Sequence, residues 1–250
     1  MTAQTPDTIA AALWTEWHKG RHMPKEWMGR LSMDEAYRVQ LALLDRFAAA
    51  GEPQAGWKVG LTAAAMRAQW NIHEPCFGFL LRSGHKQAGH RFRFPGIIAP
   101  GFENELCLRI GTRLQGPGVT LDQAIAAVSH AAPALEIVEK RGPLSEDLAL
   151  AIADNAQQYA FVTGAEIALT SSNRNLATAM VEVDVNAAVI LSHSCPCARV
   201  AHFTRRSGQS ATLPGRMRAR NATEVPRAAW SNLATPTDTK ASPNSRPTAQ

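Results

Sequence analysis

Three glutamates in two short stretches have the types and spacing to do chemistry. In Phe102-Glu103-Asn104-Glu105-Leu106-Cys107-Leu108-Arg109-Ile110 the pattern alternates. On a strand, Glu103, Glu105, Cys107 and Arg109 fall on one side, and Asn104, Leu106, Leu108 and Ile110 on the other. Glu103 and Glu105 therefore point the same way. In Pro133-Ala134-Leu135-Glu136-Ile137-Val138 a third carboxylate, Glu136, stands among apolar neighbours. Burying such groups together is costly unless a cation lies between them. A hard divalent ion, magnesium or manganese, takes oxygen ligands octahedrally and leaves positions for water and substrate. The spacing also allows a second reading, with Glu103 and Glu105 on a solvated strand face and Glu136 paired with an arginine.

Lys58, between Trp57 and Val59, is the next residue of interest. It reads either as an edge-strand gatekeeper whose head reaches water, or as an ammonium aimed into a pocket to meet a carboxylate or enolate oxygen. The four cysteines, Cys76, Cys107, Cys195 and Cys197, do not form a disulfide framework, and suit a reducing compartment. His193 with Cys195 and Cys197 is an incomplete soft-metal set.

The elements that must position these residues can be read in order. Asp7 to Lys19 has Ile9, Leu13 and Trp17 about four apart, with Gly20 beyond, and predicts a helix. Ser32-Met33-Asp34-Glu35 is a capping box opening a second helix, with Tyr37, Leu41, Leu44 and Phe47 on one face and Gly51 at its end. Residues 55–61 predict a strand, followed by a helix capped by Thr62. Residues 74–81 predict a loop entering a strand, and 91–99 broken strand pieces. Thr120-Leu121-Asp122-Gln123 is another capping box, for a helix to about His130. A strand is expected over 134–139, a helix capped by Ser145 through Ile152, a turn at Asp154-Asn155, a strand over 159–164 and another over 180–191.

At 250 residues the chain can hold one large or two small domains. No run of eighteen apolar residues occurs, so no membrane span is expected, and residues 1–6 lack a signal-peptide pattern, which points to the cytoplasm. The net charge of +5 is unevenly placed. Residues 201–250 hold eight Lys or Arg and two acids, so the body is near neutral and the basicity lies in the tail. Without periodicity or aromatic interleaving, the tail is not read as a nucleic-acid module. Its Ser, Thr, Pro, Arg and Ala bias predicts disorder from about residue 195.

Gly56-Trp57-Lys58-Val59-Gly60-Leu61-Thr62, Glu74-Pro75-Cys76-Phe77-Gly78, Glu103-x-Glu105, Pro133-Ala134-Leu135-Glu136-Ile137-Val138 and Ala153-Asp154-Asn155-Ala156 occur in that order. Together they resemble the 2-keto-4-pentenoate hydratase and 4-oxalocrotonate decarboxylase group of the fumarylacetoacetate hydrolase superfamily, from about Leu31 to Gly164. The resemblance implies an α+β fold: a bent, roll-like mixed sheet with outer helices. It implies magnesium or manganese on Glu103, Glu105 and Glu136, with Lys58 and Arg141 near the chemistry. Leu61, Thr62, Asp154 and Asn155 would meet the substrate, a small 2-oxo or 2-hydroxy-dienoic acid. It implies a hydratase of aromatic meta-cleavage catabolism, or alternatively a decarboxylase, working as a homo-oligomer or with a paired enzyme; a third reading is an inactive, truncated-like partner subunit. Two positions depart from the family. Cys76 stands where it has an Asp thought to activate water, and Gln157 where it commonly has a small hydroxyl residue. After about Asn186 the resemblance stops. The expected organisation is an N-terminal helical segment over 1–52, an incomplete catalytic body over 53–192 and a basic tail over 193–250. The abrupt loss of pattern near residue 190 fits a lost reading frame.

Overall fold

The computed structural model describes residues 5–142 and 146–176, and beyond them the backbone of strands at 180–185, 188–194, 200–201 and 215–220. In chain order the elements are α1 (Pro6–His18), α2 (Met33–Ala49), β1 (Gln54–Gly60), α3 (Ala64–Gln69), β2 (Cys76–Leu81), β3 (His85–Gln87), β4 (Pro100–Ile110), α4 (Leu121–Ala127), β5 (Val128–Glu139), α5 (Leu148–Ala153), β6 (Gln158–Thr163), β7 (Ile167–Ala168), β8 (Met180–Val185), β9 (Ala188–Ser194), β10 (Val200–Ala201) and β11 (Gly215–Arg220).

The largest sheet runs β10-β4-β5-β6-β3, with β7 also paired to β5. All its pairings are antiparallel except β3 with β6, so it is mixed, as expected. β1 and β2 form a separate antiparallel pair, and β11-β8-β9 a third sheet. Three of the helices, α1, α2 and α5, pack together against β2. Ile9 and Leu13 of α1, Val39, Leu43 and Phe47 of α2, Phe79 and Leu81 of β2, and Leu150 and Ile152 of α5 share one buried core. The N-terminal helices are thus built into the body's interior through β2 and α5.

The local signals explain most boundaries. Ser32 and Glu35 satisfy each other's backbone at the start of α2, and Thr120 and Gln123 do the same for α4. Several details differ from expectation. Leu41 is exposed, and the inward face of α2 is Ala36, Val39, Gln40, Leu43 and Phe47, because the helix is rotated to carry Gln40 into the core. Thr62 does not cap α3; Arg67 instead binds the Leu61 and Thr62 carbonyls. α4 ends at Ala127 because the alanine-rich 131–134 stretch continues β5 backward to Val128. Residues 91–99 hold a single 3-10 turn rather than strand pieces. Ser145 lies outside the described residues, and Asp147 caps α5. The 180–191 stretch is two strands, β8 and β9.

Within the expected tail two short segments are strands, and the rest of residues 202–250 lies outside the described residues. Gly215–Arg220 pairs in register with β8, and Val200–Ala201 pairs with Phe102 and Glu103 of β4. The overlooked signal is the strict alternation Arg216-Met217-Arg218-Ala219-Arg220, a period-two pattern across from Val181-Glu182-Val183-Asp184. His193 lies in β9. Cys195 and Cys197 lie outside the described residues.

Candidate active site

The register of β4 on β5 assembles the carboxylates. Glu103 sits directly opposite Glu136, and Glu105 opposite Ala134, two residues back along β5. Side chains opposite each other share a face, so all three glutamates rise from the same side of the sheet. A ligand oxygen from each lies within 4.8 Å of the others. Glu136 is buried, and Glu103 and Glu105 are half-buried. The solvated-face alternative is therefore not what the fold builds.

Lys58 is the cation nearest this cluster among the described residues. Its ammonium lies 3.3 Å from Glu136 Oε1. The contact is an ion pair without hydrogen-bond alignment, since that oxygen is buried without a hydrogen-bond partner. Lys58 reaches across a floor made by two glycines. It pairs across the strands with Gly78, and Gly60 pairs with Cys76, so these four residues share the inner face of β1–β2. A methyl group on Gly78 would come within 3.4 Å of Lys58 Cε and 2.9 Å of Asn155 Oδ1. One on Gly60 would meet Cys76 Sγ at 3.0 Å and Lys58 Nζ at 3.5 Å. Outward from the same strand, Trp57 and Val59 are half exposed.

Electrostatics follow from this crowding. Burial disfavours the Lys58 charge, but Glu136 and Glu103 outweigh it and hold the ammonium well above its ordinary value. Burial raises the Glu105 carboxyl to about 8, with repulsion from Glu136 and Glu103 adding to it. Glu136 is likewise raised, by burial first and then by Glu103, against the pull of Lys58. Burial keeps the Cys76 thiol above its usual value despite Lys58 beside it, so the sulfur is protonated near neutrality. Three acids against one lysine leave a deficit of about two positive charges when all are ionised. The donor set is all carboxylate oxygen, and a buried Glu136 oxygen lacks a hydrogen-bond partner; a hard divalent ion fits both facts.

Arg141 and Asp154 form a different cluster. The Arg141 guanidinium is buried, donates through Nε to Asp154 at 2.9 Å and through a terminal nitrogen to Glu139 at 3.1 Å, and stacks over Trp17 at 3.6 Å. Its ion-pair option with Glu139 is the one realised, with Asp154 added. Asn155 binds the backbone of β2: Phe79 N–H donates to its Oδ1 at 2.7 Å, and its Nδ2 donates to the Phe79 carbonyl at 2.9 Å. Asn155, Ala156 and Gln157 have φ of 60°, 50° and 62°, three successive non-glycine residues in the left-handed region, each costing on the order of 1 kcal/mol or more. Gln157 anchors this turn by donating to the Gly142 carbonyl at 2.8 Å. Leu61 packs against the helical core, and the Thr62 residue is exposed.

Sequence reasoning missed Gln40 and the structural weight of Glu139. Gln40 is fully buried, and Glu139 accepts from Ile98 N–H as well as from Arg141. The available signal for Gln40 was its helical phase, four after Ala36 and three before Leu43.

No family model matches the chain. The chain is 34% identical over 137 residues to 2-hydroxyhexa-2,4-dienoate hydratase of Comamonas testosteroni, covering 54% of this chain and 52% of that protein. It is 30% identical over 187 residues to a 4-oxalocrotonate decarboxylase of Pseudomonas sp., covering 72% of this chain and 73% of that one. The chain belongs to the hydratase and decarboxylase group of the fumarylacetoacetate hydrolase superfamily. Within this group, the solved 4-oxalocrotonate decarboxylase from Pseudomonas putida G7, complexed with calcium and acetate, superposes with a TM-score of 0.70 at 27% identity, over 78% of this chain and 74% of that one. The same decarboxylase complexed with magnesium and adipate gives 0.70 at 26% identity, over 76% and 73%. Against the first two hydratases that it matches, the chain spans only 52% and 61% of their length.

Proposed function

We propose that this chain is a metal-dependent hydro-lyase that adds water to a 2-hydroxy-2,4-dienoate, giving a 4-hydroxy-2-oxo acid in aromatic meta-cleavage catabolism. The observation that carries this is the meeting of Glu103, Glu105 and Glu136 beside Lys58 on facing strands. Relatives named as 2-hydroxydienoate hydratases support the reaction class. Magnesium or manganese held by the three glutamates would supply Lewis-acid polarisation of a 2-oxo group. Magnesium in the Pseudomonas putida G7 decarboxylase supports that choice of ion.

The chain's own groups do the rest. Lys58, kept charged by its acidic neighbours, is placed to stabilise negative charge developing on a substrate oxygen. Protonation at C5 of the dienol then leaves C4 electrophilic for water. Cys76, held as a thiol, can give a proton but is poorly suited to take one from water. Arg141 and Asp154 act from behind, and Leu61, Thr62 and Asn155 border the pocket. We assign the chain to the cytoplasm, where the free thiols of Cys76 and Cys107 persist. Among the described residues no helix is long and apolar enough to cross a membrane. We extend the proposal to a homo-oligomer, or a complex with a paired enzyme.

A second reading is decarboxylation of a 2-oxo-3-enedioate. It uses the same electron sink and needs no activated water, so a thiol at Cys76 is no handicap; the longer match to the decarboxylase favours it. A third is a non-catalytic partner subunit, favoured by the short span over the hydratases. Purified chain with magnesium, offered a 2-hydroxypentadienoate and a 2-oxo-3-enedioate, separates the three. Loss of dienol absorbance without carbon dioxide supports the hydratase, carbon dioxide release the decarboxylase, and neither, with magnesium bound, the partner subunit. We also retain the division at about residues 52 and 192, with the frame lost near 190. Sequencing the gene tests it: an alternative frame must encode further strand-like sequence.

A further inference from the structure

Lys58 rides on a sheet of two strands, yet its ammonium is held 3.3 Å from a carboxylate on another sheet. An isolated strand pair is marginal in water, so something must fix β1–β2 against β4–β5. Among the described residues, β2 forms a strand ladder with β1 and with no other strand. Two side-chain amides take the place of a second ladder. Gln40 Nε2 on α2 donates to the Phe77 carbonyl at 3.0 Å and to the Ile152 carbonyl of α5 at 2.8 Å. Asn155 binds both the N–H and the carbonyl of Phe79. Phe77 and Phe79 are alternate residues, so their outward polar groups lie along one edge. Gly78, between them, is the residue Lys58 lies across.

Gln40 is costly as mere core. It is fully buried, and its Oε1 has no partner. An apolar side chain of that size would remove the unpaired Oε1 but take this donor away from the Phe77 and Ile152 carbonyls. What the glutamine alone does is tie β2 to α5, which leads directly into Asp154-Asn155.

We propose that Gln40, acting with Asn155, is a positioning residue for Lys58: the two amides stand in for a missing third strand and hold the lysine over the carboxylates. The proposal deepens the active-site reading by depending on Lys58 belonging to that site, but its test does not use turnover. The full chain is labelled by reductive methylation, and the Lys58 peptide is compared by mass with exposed Lys19. Gln40→Leu and Asn155→Gly, the latter suited to φ of 60°, should each speed Lys58 labelling by about five-fold or more while melting stays cooperative. The double variant should be no faster than the faster single, since both release one strand. Val39→Ala, which loosens the same helix but removes no hydrogen bond to β2, should leave Lys58 slow.

Labelling unchanged in both variants, or raised as much by Val39→Ala, overturns the proposal. Should the variants fail to fold, hydrogen exchange on the parent decides: the Phe79 amide must exchange as slowly as the core amides of α5, and exchange about ten-fold faster sinks the idea. Such a failure leaves the metal centre untouched, because magnesium binding is read separately.

Discussion

Two buried ionic clusters lie on either side of β5, and they are built on opposite terms. In one, Arg141 faces Glu139 and Asp154, stacks on Trp17, and spends its donors on carboxylate and backbone oxygens. In the other, Lys58 faces Glu103, Glu105 and Glu136, and a buried Glu136 oxygen is left without a hydrogen bond. A satisfied cluster rigidifies the fold; an under-neutralised one is ready to accept a further cation. Glu136 and Glu139 are three residues apart, so fold and chemistry share one strand.

The largest effect should come from breaking the satisfied cluster. Arg141→Met leaves two buried carboxylates unpaired, and should cost about 3–5 kcal/mol in denaturant unfolding, with or without magnesium. A loss under about 1 kcal/mol would mean that the cluster is not holding α1 to the body. In the other cluster, Glu136→Gln should remove the metal response. The parent should gain about 2–3 kcal/mol at magnesium near a hundred times its dissociation constant, and the variant none. An unchanged magnesium shift in melting would remove Glu136 from the ligand set.

Acidity acts on both clusters and weighs more on the glutamates, since burial raises Asp154 only to about 6 against the pull of Arg141. Glu105 is raised from its ordinary 4.5 to about 8 in the folded chain, so between those values the native state holds a proton that the unfolded state has lost. Metal-free stability should therefore fall as pH rises from about 4.5 through 8, by on the order of a few kcal/mol. Magnesium, which binds the ionised form, should offset that loss most at pH 8 and above. Melting curves across pH, with and without magnesium, read this directly; a magnesium effect that shrinks toward high pH would contradict it. The smallest effect concerns the turn between the clusters. Ala156, at φ of 50°, should tolerate glycine, with Ala156→Gly gaining up to about 1 kcal/mol. Destabilisation would mean that the alanine methyl has packing worth more than the strain.

How much of this was legible in the sequence follows from the range of the interactions. The alternation around Glu103 and Glu105 placed both on one face, because strand geometry is local. The α+β class and the capping boxes at Ser32 and Thr120 were readable for the same reason. That Glu136 faces Glu103 depends on cross-strand register, which the spacing could not supply and the family resemblance did. Arg141 was drawn toward the site by resemblance, while its local option with Glu139 proved to be the contact made. Gln40 was missed because its partners, Phe77 and Ile152, lie far along the chain. Leu41 was placed inside because hydrophobicity alone phases a helix only when no polar side chain is recruited inward.

The register of β4 on β5 carries one more consequence. The three glutamates come from two adjacent strands joined through the excursion that contains α4, and the ladder's one irregularity falls at Arg109 and Ile110, beyond the glutamates. Sliding one strand by a single residue would turn Glu136 to the opposite face from Glu103 and Glu105. Binding of a divalent ion by the three glutamates, as proposed above, would therefore proofread folding, since only the correctly aligned hairpin offers all three oxygens. Insertions can accumulate between Gly111 and Thr120 without penalty to the centre, whereas a single added residue inside either strand would erase it.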